Sequence, residues 1–132
     1  MKVRTRVAAI VVKNKKVLLV KGKNLDDLWT PGGGIDGCES DEQCLKRELK
    51  EELNVDLVSM KPYKEYLRES PYHNHLTKCR LYLADIKGDP RPGREIGDFV
   101  WYSRDDFVNK KYSMVPVNQE EVIPDLIGSD LI

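Results

Sequence analysis

GGIDGCESDEQCLKRELKEELNV, residues Gly33 to Val55, carries a glycine-opened loop, a helix and a helix stop in one continuous stretch. Ser40 is placed to cap the helix N-terminus, and Gln43, three residues on, supplies the other half of a capping box. Leu45, Leu49 and Leu53 recur every four residues and give a single apolar stripe. Asn54 closes the helix, asparagine being second to glycine at the left-handed position past a helix end. At 100° per residue, Glu48, Glu51 and Glu52 fall within an arc of about 100°, next to the leucines. The leucines fix the helix to a core while the glutamates line its edge. Like charges so close repel by roughly a few tenths of a kcal/mol per i,i+4 pair. Lys46 and Lys50 lie on other faces, and only Arg47 is spaced to pair with Glu51. A hard divalent cation, Mg²⁺ or alternatively Mn²⁺, would relieve that repulsion through oxygen ligands. Taken alone, the helix reads first as a solvated acidic face. The loop before it shifts the balance, because Gly32, Gly33 and Gly34 let the backbone approach a ligand closely and Glu39 sits just ahead of the helix.

Upstream, Val3 to Val12 is rich in β-branched residues, and Val17 to Val20 resumes the pattern after Lys13-Asn14-Lys15-Lys16, which predicts a hairpin. Pro31-Gly32-Gly33-Gly34 fits neither a helix nor a central strand, so a turn is expected there. Downstream, Val55–Val58, Tyr63–Leu67 and Leu76–Ile86 read as strands, the last of them central. Residues 88–93 read as a loop and Phe99–Tyr102 as a strand. Ser103 caps a short helix to about Asn109, and a last helix from Asn118 to Leu126 is interrupted at Pro124. Strands mixed with two or three helices suggest an α+β or α/β sandwich with helices on a mixed sheet.

The 132 residues suit one domain, taken as 1–132, with 40% hydrophobic and 33% charged residues as in ordinary globular chains. The 22 basic and 22 acidic side chains cancel, which argues against a general nucleic-acid or anionic-membrane binder and leaves room for a small phosphorylated ligand. From Met1 onward there is no signal-peptide pattern and no apolar run of about 20 residues, so neither export nor membrane insertion is expected. Cys38, Cys44 and Cys79 are odd in number and lack C-x-x-C spacing, which fits reduced thiols in a cytoplasm better than disulfides or zinc.

From Gly33 to Glu39, then through Arg47-Glu48-Leu49-Lys50-Glu51-Glu52-Leu53-Asn54-Val55, the stretch resembles the box of the Nudix hydrolase family. Asn54 replaces the family's glycine, a mild change because asparagine tolerates positive φ. The resemblance implies an α/β/α sandwich with a mixed β-sheet. It implies a pyrophosphohydrolase acting on acid anhydrides: metal-dependent cleavage of a phosphoanhydride in a nucleoside diphosphate linked to another moiety. That moiety would make it a nucleoside triphosphate, an oxidised nucleotide or an ADP-ribose-like nucleotide sugar. By similarity Glu48, Glu51 and Glu52 are the metal ligands, with the Gly33 carbonyl and Glu39 as further contacts, and Arg47 orients a glutamate. The general base is expected to be Glu95, with Asp98 as second choice, or else a box glutamate, Glu52 or Glu48. Arg4, Arg6, Arg68 and Arg80 are candidates for phosphate contact that the sequence does not rank, and His73 and His75 are candidates that read first as half-exposed strand residues. Pro71 and Tyr72 lie near markers of two different substrate branches and do not choose between them. The partner implied is a small nucleotide, not a nucleic acid or a membrane, and the family's frequent dimers make a homodimer an expectation. The competing reading is a non-catalytic nucleotide-sensing domain on the same fold.

Overall fold

A computed structural model describes residues 2–132; Met1, where the expected domain begins, lies outside the described residues. The residues form seven strands and three short-to-medium α-helices. In chain order the strands are β1 (Val3–Ile10), β2 (Val12–Lys13), β3 (Lys16–Gly22), β4 (Gly32–Gly34), β5 (Asp56–Glu69), β6 (Leu76–Lys87) and β7 (Ile96–Ser103). Helix α1 (Asp41–Leu53) follows β4, α2 (Arg104–Val108) follows β7, and a π-helical turn (Asn118–Val122) leads into α3 (Ile123–Gly128).

β1 lies between β4 and β6 in a four-stranded sheet of order β4-β1-β6-β5, parallel to β6 and antiparallel to β4. β2, β3 and β7 make a second, antiparallel sheet. Successive strand residues face opposite ways, and here both faces are buried. Val7, Ala9, Leu18 and Val20 pack with Leu45, Leu49 and Leu53 of α1. Ala8, Ile10, Val17 and Leu19 pack with Ile123 and Leu126 of α3 on the other side. That is the α/β/α sandwich expected, and it explains why residues 7–11 are apolar without alternation.

Four expectations change. The Val3–Val12 hairpin is reduced to Val12↔Val17 and Lys13↔Lys16, closed by Asn14 and Lys15 at φ 52 and 62. Before it the chain leaves one sheet for the other at Val11, because a strand buried on both faces belongs inside a sheet. The triple glycine is not only a turn: it pairs Gly32, Gly33 and Gly34 with Ala8, Val7 and Arg6 as a short edge strand. The two strands read in 55–67 are one strand, β5, which absorbs Pro62 at a register shift on the sheet edge. Pro124 does not interrupt a helix but sits in the first turn of α3, where its missing N–H costs nothing.

The local signals around α1 appear as read. Ser40 and Gln43 form a reciprocal capping box, and Asn54 sits at φ 57 with its N–H on the Leu49 and Lys50 carbonyls. The helix end is also held from outside: Arg94, Gly93 and Arg91 donate their N–H groups to the carbonyls of Glu51, Glu52 and Leu53 at 2.9, 2.8 and 2.9 Å. These would otherwise be orphan acceptors. Because Asn54 is already left-handed and its side chain makes no bond here, Asn54→Gly should leave kcat within a fewfold and Tm within a few degrees. A collapse in either, followed by thermal melting and turnover, would show that the asparagine side chain does more than end the helix.

Candidate active site

A cleft of about 720 Å³ opens at the edge of α1, lined by Glu48, Glu51 and Glu52 of the helix and by Lys23, Arg94 and Glu95. Arg6, Trp29 and Tyr72 line the same cleft. The α1 leucines are fully buried, so the glutamate edge of the helix is fixed at the cleft.

The carboxylates sit in unlike surroundings. The Glu52 Oε1 accepts the Gly32 N–H at 2.8 Å. Burial pushes Glu52 up to about 7, against opposition from Arg6 and that N–H. Burial also raises Glu48, with Arg47 opposing. Glu48 accepts from Arg47 Nη1 at 2.8 Å, and Glu51 from the same nitrogen at 3.4 Å. Arg47 binds Glu39 through Nε at 2.7 Å and Nη2 at 2.9 Å, and reaches the Gly34 carbonyl at 3.1 Å. Those bonds hold Glu39 down to about 2 and Arg47 up, each chiefly through its partner. Both oxygens of Glu39 are thus spent on Arg47, and the residue does not line the cleft.

Gly33 runs against the site. A Cβ there would stand 2.4 Å from Glu48 Oε1, so glycine is what leaves room for the carboxylate. Its carbonyl lies 3.6 Å from the Cys44 thiol. Glu95 is exposed at φ 63, held by its own carbonyl on the Lys23 N–H at 3.2 Å and by the bonds of residues 91–94 to α1. Asp98 instead accepts its neighbour's N–H, from Phe99, at 2.8 Å and is not a cleft residue.

The donor chemistry fits a hard divalent cation: oxygen ligands only, two of them in surroundings that disfavour their charge. As the side chains stand, no three histidine, cysteine, aspartate or glutamate side chains among the described residues converge on one point. Glu48 is turned to Arg47 and Glu52 to Gly32, so closing around a cation needs Glu48 to turn from Arg47.

Of the arginines read as phosphate candidates, Arg6 is in the cleft. Its Nη2 donates to the Thr30 carbonyl at 2.5 Å and its guanidinium lies 5.6 Å from the Trp29 ring centre. Arg80 is paired with Asp41 at 2.7 Å and Arg68 with Glu120 and Glu121, both away from it. Arg94 and Lys23 were not singled out by sequence; Arg94's place beside Glu95 was the available signal. Trp29 meets Tyr72 with ring centres 5.8 Å apart, and Tyr72 donates to Asp27 at 2.5 Å.

The chain belongs to the NUDIX domain family, whose model matches residues 2–126. It is 30% identical over 103 residues, 73% of this chain and 74% of the relative, to a protein named 8-oxo-dGTP diphosphatase from Haemophilus influenzae. It is 41% identical over 71 residues to a protein named RNA pyrophosphohydrolase from Campylobacter jejuni subsp. doylei, covering 48% of this chain and 46% of that protein. The matched stretch thus spans about half the length of that curated relative. The fold is shared with a NUDIX hydrolase from Nitrosomonas europaea, at TM-score 0.79 and 20% identity over 98% of this chain and 92% of the other. It is shared also with the E. coli ORF135 protein, at TM-score 0.76 and 24% identity over 98% and 94%. Among the described residues no helix is long and apolar enough to cross a membrane.

Proposed function

We propose that this chain is a metal-dependent pyrophosphohydrolase acting on a nucleoside triphosphate or its oxidised form. The observation that carries the reading is the cleft itself, where half-buried Glu48 and Glu52 line one cavity together with Lys23 and Arg94. A site with both acids and cations around one cavity suits a polyphosphate. The cations take phosphate oxygens directly, and the acids require a divalent ion between themselves and the anion. When bound, that ion would supply charge neutralisation on the phosphates and a lowered pKa for water. Glu48, Glu51 and Glu52 are the residues that would hold it, with the Gly33 backbone alongside.

The other residues divide the remaining work. Arg47, locked by Glu39, sets the rotamers of Glu48 and Glu51 and is a positioning residue. Lys23 and Arg94 hold the phosphates, and Trp29 and Tyr72 offer aromatic faces. Glu95 takes the proton of the attacking water, whose oxygen bonds to phosphorus as the anhydride P–O bond breaks. The products are a nucleoside monophosphate and pyrophosphate. The names of the two relatives above favour a triphosphate end over an ADP-ribose-like sugar.

The deciding experiment is nucleoside monophosphate release from a nucleotide panel that includes 8-oxo-dGTP and ADP-ribose, with Mg²⁺ or Mn²⁺ and after chelation. Turnover of a triphosphate is expected with either ion and none after EDTA. Full turnover in metal-free buffer sinks the mechanism, and selective cleavage of ADP-ribose sinks the substrate.

Glu95→Gln should lower kcat about 100-fold or more with KM nearly unchanged, since the amide keeps the shape but takes no proton. The pH–rate profile should lose its acidic limb. A variant with parental rate and profile moves the base to Glu52 or Glu48.

A further inference from the structure

The β5–β6 loop, residues 70–75, has two sides. Tyr72 lines the cleft, whereas His73, Asn74 and His75 line a hollow of about 380 Å³ with Lys2 and Arg4. The two cavities share no lining residue. Backbone bonds fix the hollow: Leu76 N–H to the Lys2 carbonyl at 2.8 Å, Ser70 N–H to the His75 carbonyl at 2.9 Å, and His75 N–H to the His73 carbonyl at 3.0 Å. The last of these is a tight turn that stacks the two imidazoles, ring centres 5.7 Å apart and planes 11° from parallel. The β1–β6 ladder sets Arg4 opposite Thr77. Lys2 and Arg4, two residues apart on an extended chain, reach the same side.

Every ionisable residue lining the hollow is basic, and among the described residues no carboxylate lies within 4.0 Å of any of the four. In a chain of zero net charge, other basic residues such as Arg47, Arg80 and Arg104 have an acid at hand. Burial first, then Arg4 and His73, hold the His75 imidazole below its ordinary value. Two cations without a counter-charge, around a concavity that also offers two imidazoles and the Asn74 amide, are complementary to an oxyanion.

We propose that this hollow is a phosphate-binding site distinct from the catalytic cleft. The phosphate belongs either to an extended substrate leaving the cleft past Tyr72 or to a free anion.

The test titrates inorganic phosphate and tripolyphosphate into the full chain while the imidazole resonances of His73 and His75 are followed by NMR. Both should move saturably, and the His75 pKa should rise in the presence of anion, because a bound negative charge favours imidazolium. Lys2→Ala/Arg4→Ala, at two exposed positions, should keep the fold and weaken binding at least about tenfold. Glu52→Gln should leave the titration unchanged. No saturable shift, or the same affinity in the double variant, overturns the proposal. Anion titration needs no turnover, so it fails or succeeds independently of the hydrolytic reading. KM then separates the sources in the double variant. A rise for a 5′-triphosphorylated dinucleotide alone assigns the phosphate to an extended substrate. Unchanged KM for both dinucleotide and mononucleotide, with phosphate binding lost, assigns it to a free anion. An equal rise for both would mean that the cations act through the cleft, and would also overturn it.

Discussion

Glu52→Gln will lower kcat at least about 100-fold, a barrier increase of roughly 2.7 kcal/mol, while making the metal-free protein more stable at neutral pH. The two effects share a cause. Glu52 is half-buried, and the loss of solvent around its carboxyl holds it at about 7 instead of the ordinary 4.5. A carboxyl with a raised folded-state pKa contributes stability that is fully present below the unfolded value. That stability is lost as pH climbs through the folded one. In chelated protein the loss therefore runs from about pH 4.5 to just above 7. It amounts to at most about 3 kcal/mol, taking 1.36 kcal/mol per pKa unit. Glutamine is neutral throughout, keeps an oxygen for the Gly32 N–H, and removes that part of the slope. Melting in EDTA across this window, alongside kcat with metal, reads both effects. A glutamine variant with parental kcat removes Glu52 from the machinery. One that melts along the parental pH curve shows that the carboxyl is not held up by burial.

The second large effect separates two adjacent glycines. At Gly32, φ is 151°, and a Cβ would lie 2.2 Å from the Val7 carbonyl oxygen and 2.5 Å from the Ala8 Cα. Both are backbone atoms of the buried strand β1 and neither can yield. Gly32→Ala should cost more than about 3 kcal/mol and lower Tm by about 10 °C or more. At Gly33 the obstacle is a side-chain end, Glu48 Oε1 at 2.4 Å. The carboxylate can swing away, so Gly33→Ala should cost stability no more than about 1 kcal/mol. It should lower kcat by at least about tenfold, because the added methyl takes the space that the Glu48 carboxylate needs at the cleft edge to hold a cation. Paired melting and turnover on the two variants test this. Parental kcat in Gly33→Ala would mean that Glu48's position is unimportant, and an unchanged Tm in Gly32→Ala would contradict the packing at β1.

How far the sequence carries depends on where each determinant lies. The α1 helix is legible residue by residue because its determinants are local: Ser40 and Gln43 at one end, Asn54 at the other, and a leucine stripe between. The triple glycine reads as a turn because its role as a strand depends on β1, some 25 residues away. The Val3–Val12 hairpin fails for a related reason. Adjacency in sequence suggests pairing, whereas burial of both faces sends β1 to β6, far along the chain. In the site, the box carboxylates and Arg47 are legible from spacing and resemblance, but their division of labour is not. Nothing local says that Glu39 will spend both oxygens on Arg47, or that Glu52 will be the more deeply buried. Arg4, Arg6, Arg68 and Arg80 look alike in sequence. They part only when the fold gives Arg68 and Arg80 acidic partners, leaves Arg6 beside Trp29, and sets Arg4 next to the histidines.

Residues 91–94 are an exposed, proline- and glycine-containing segment of the kind usually considered safe ground for inserting a tag or lengthening a connection. Here that inference fails. Their amides close the end of α1, and a Cβ at Gly93 would stand 2.2 Å from the Glu51 carbonyl oxygen. The segment is therefore a strut, not a spacer. Any added residue must either break its three bonds to the helix or shift Arg94 and Glu95 along the cleft wall. Helix end and strut will loosen together as one local unit, so the box glutamates and Arg94 and Glu95 keep their relative places in the cleft only while both are intact.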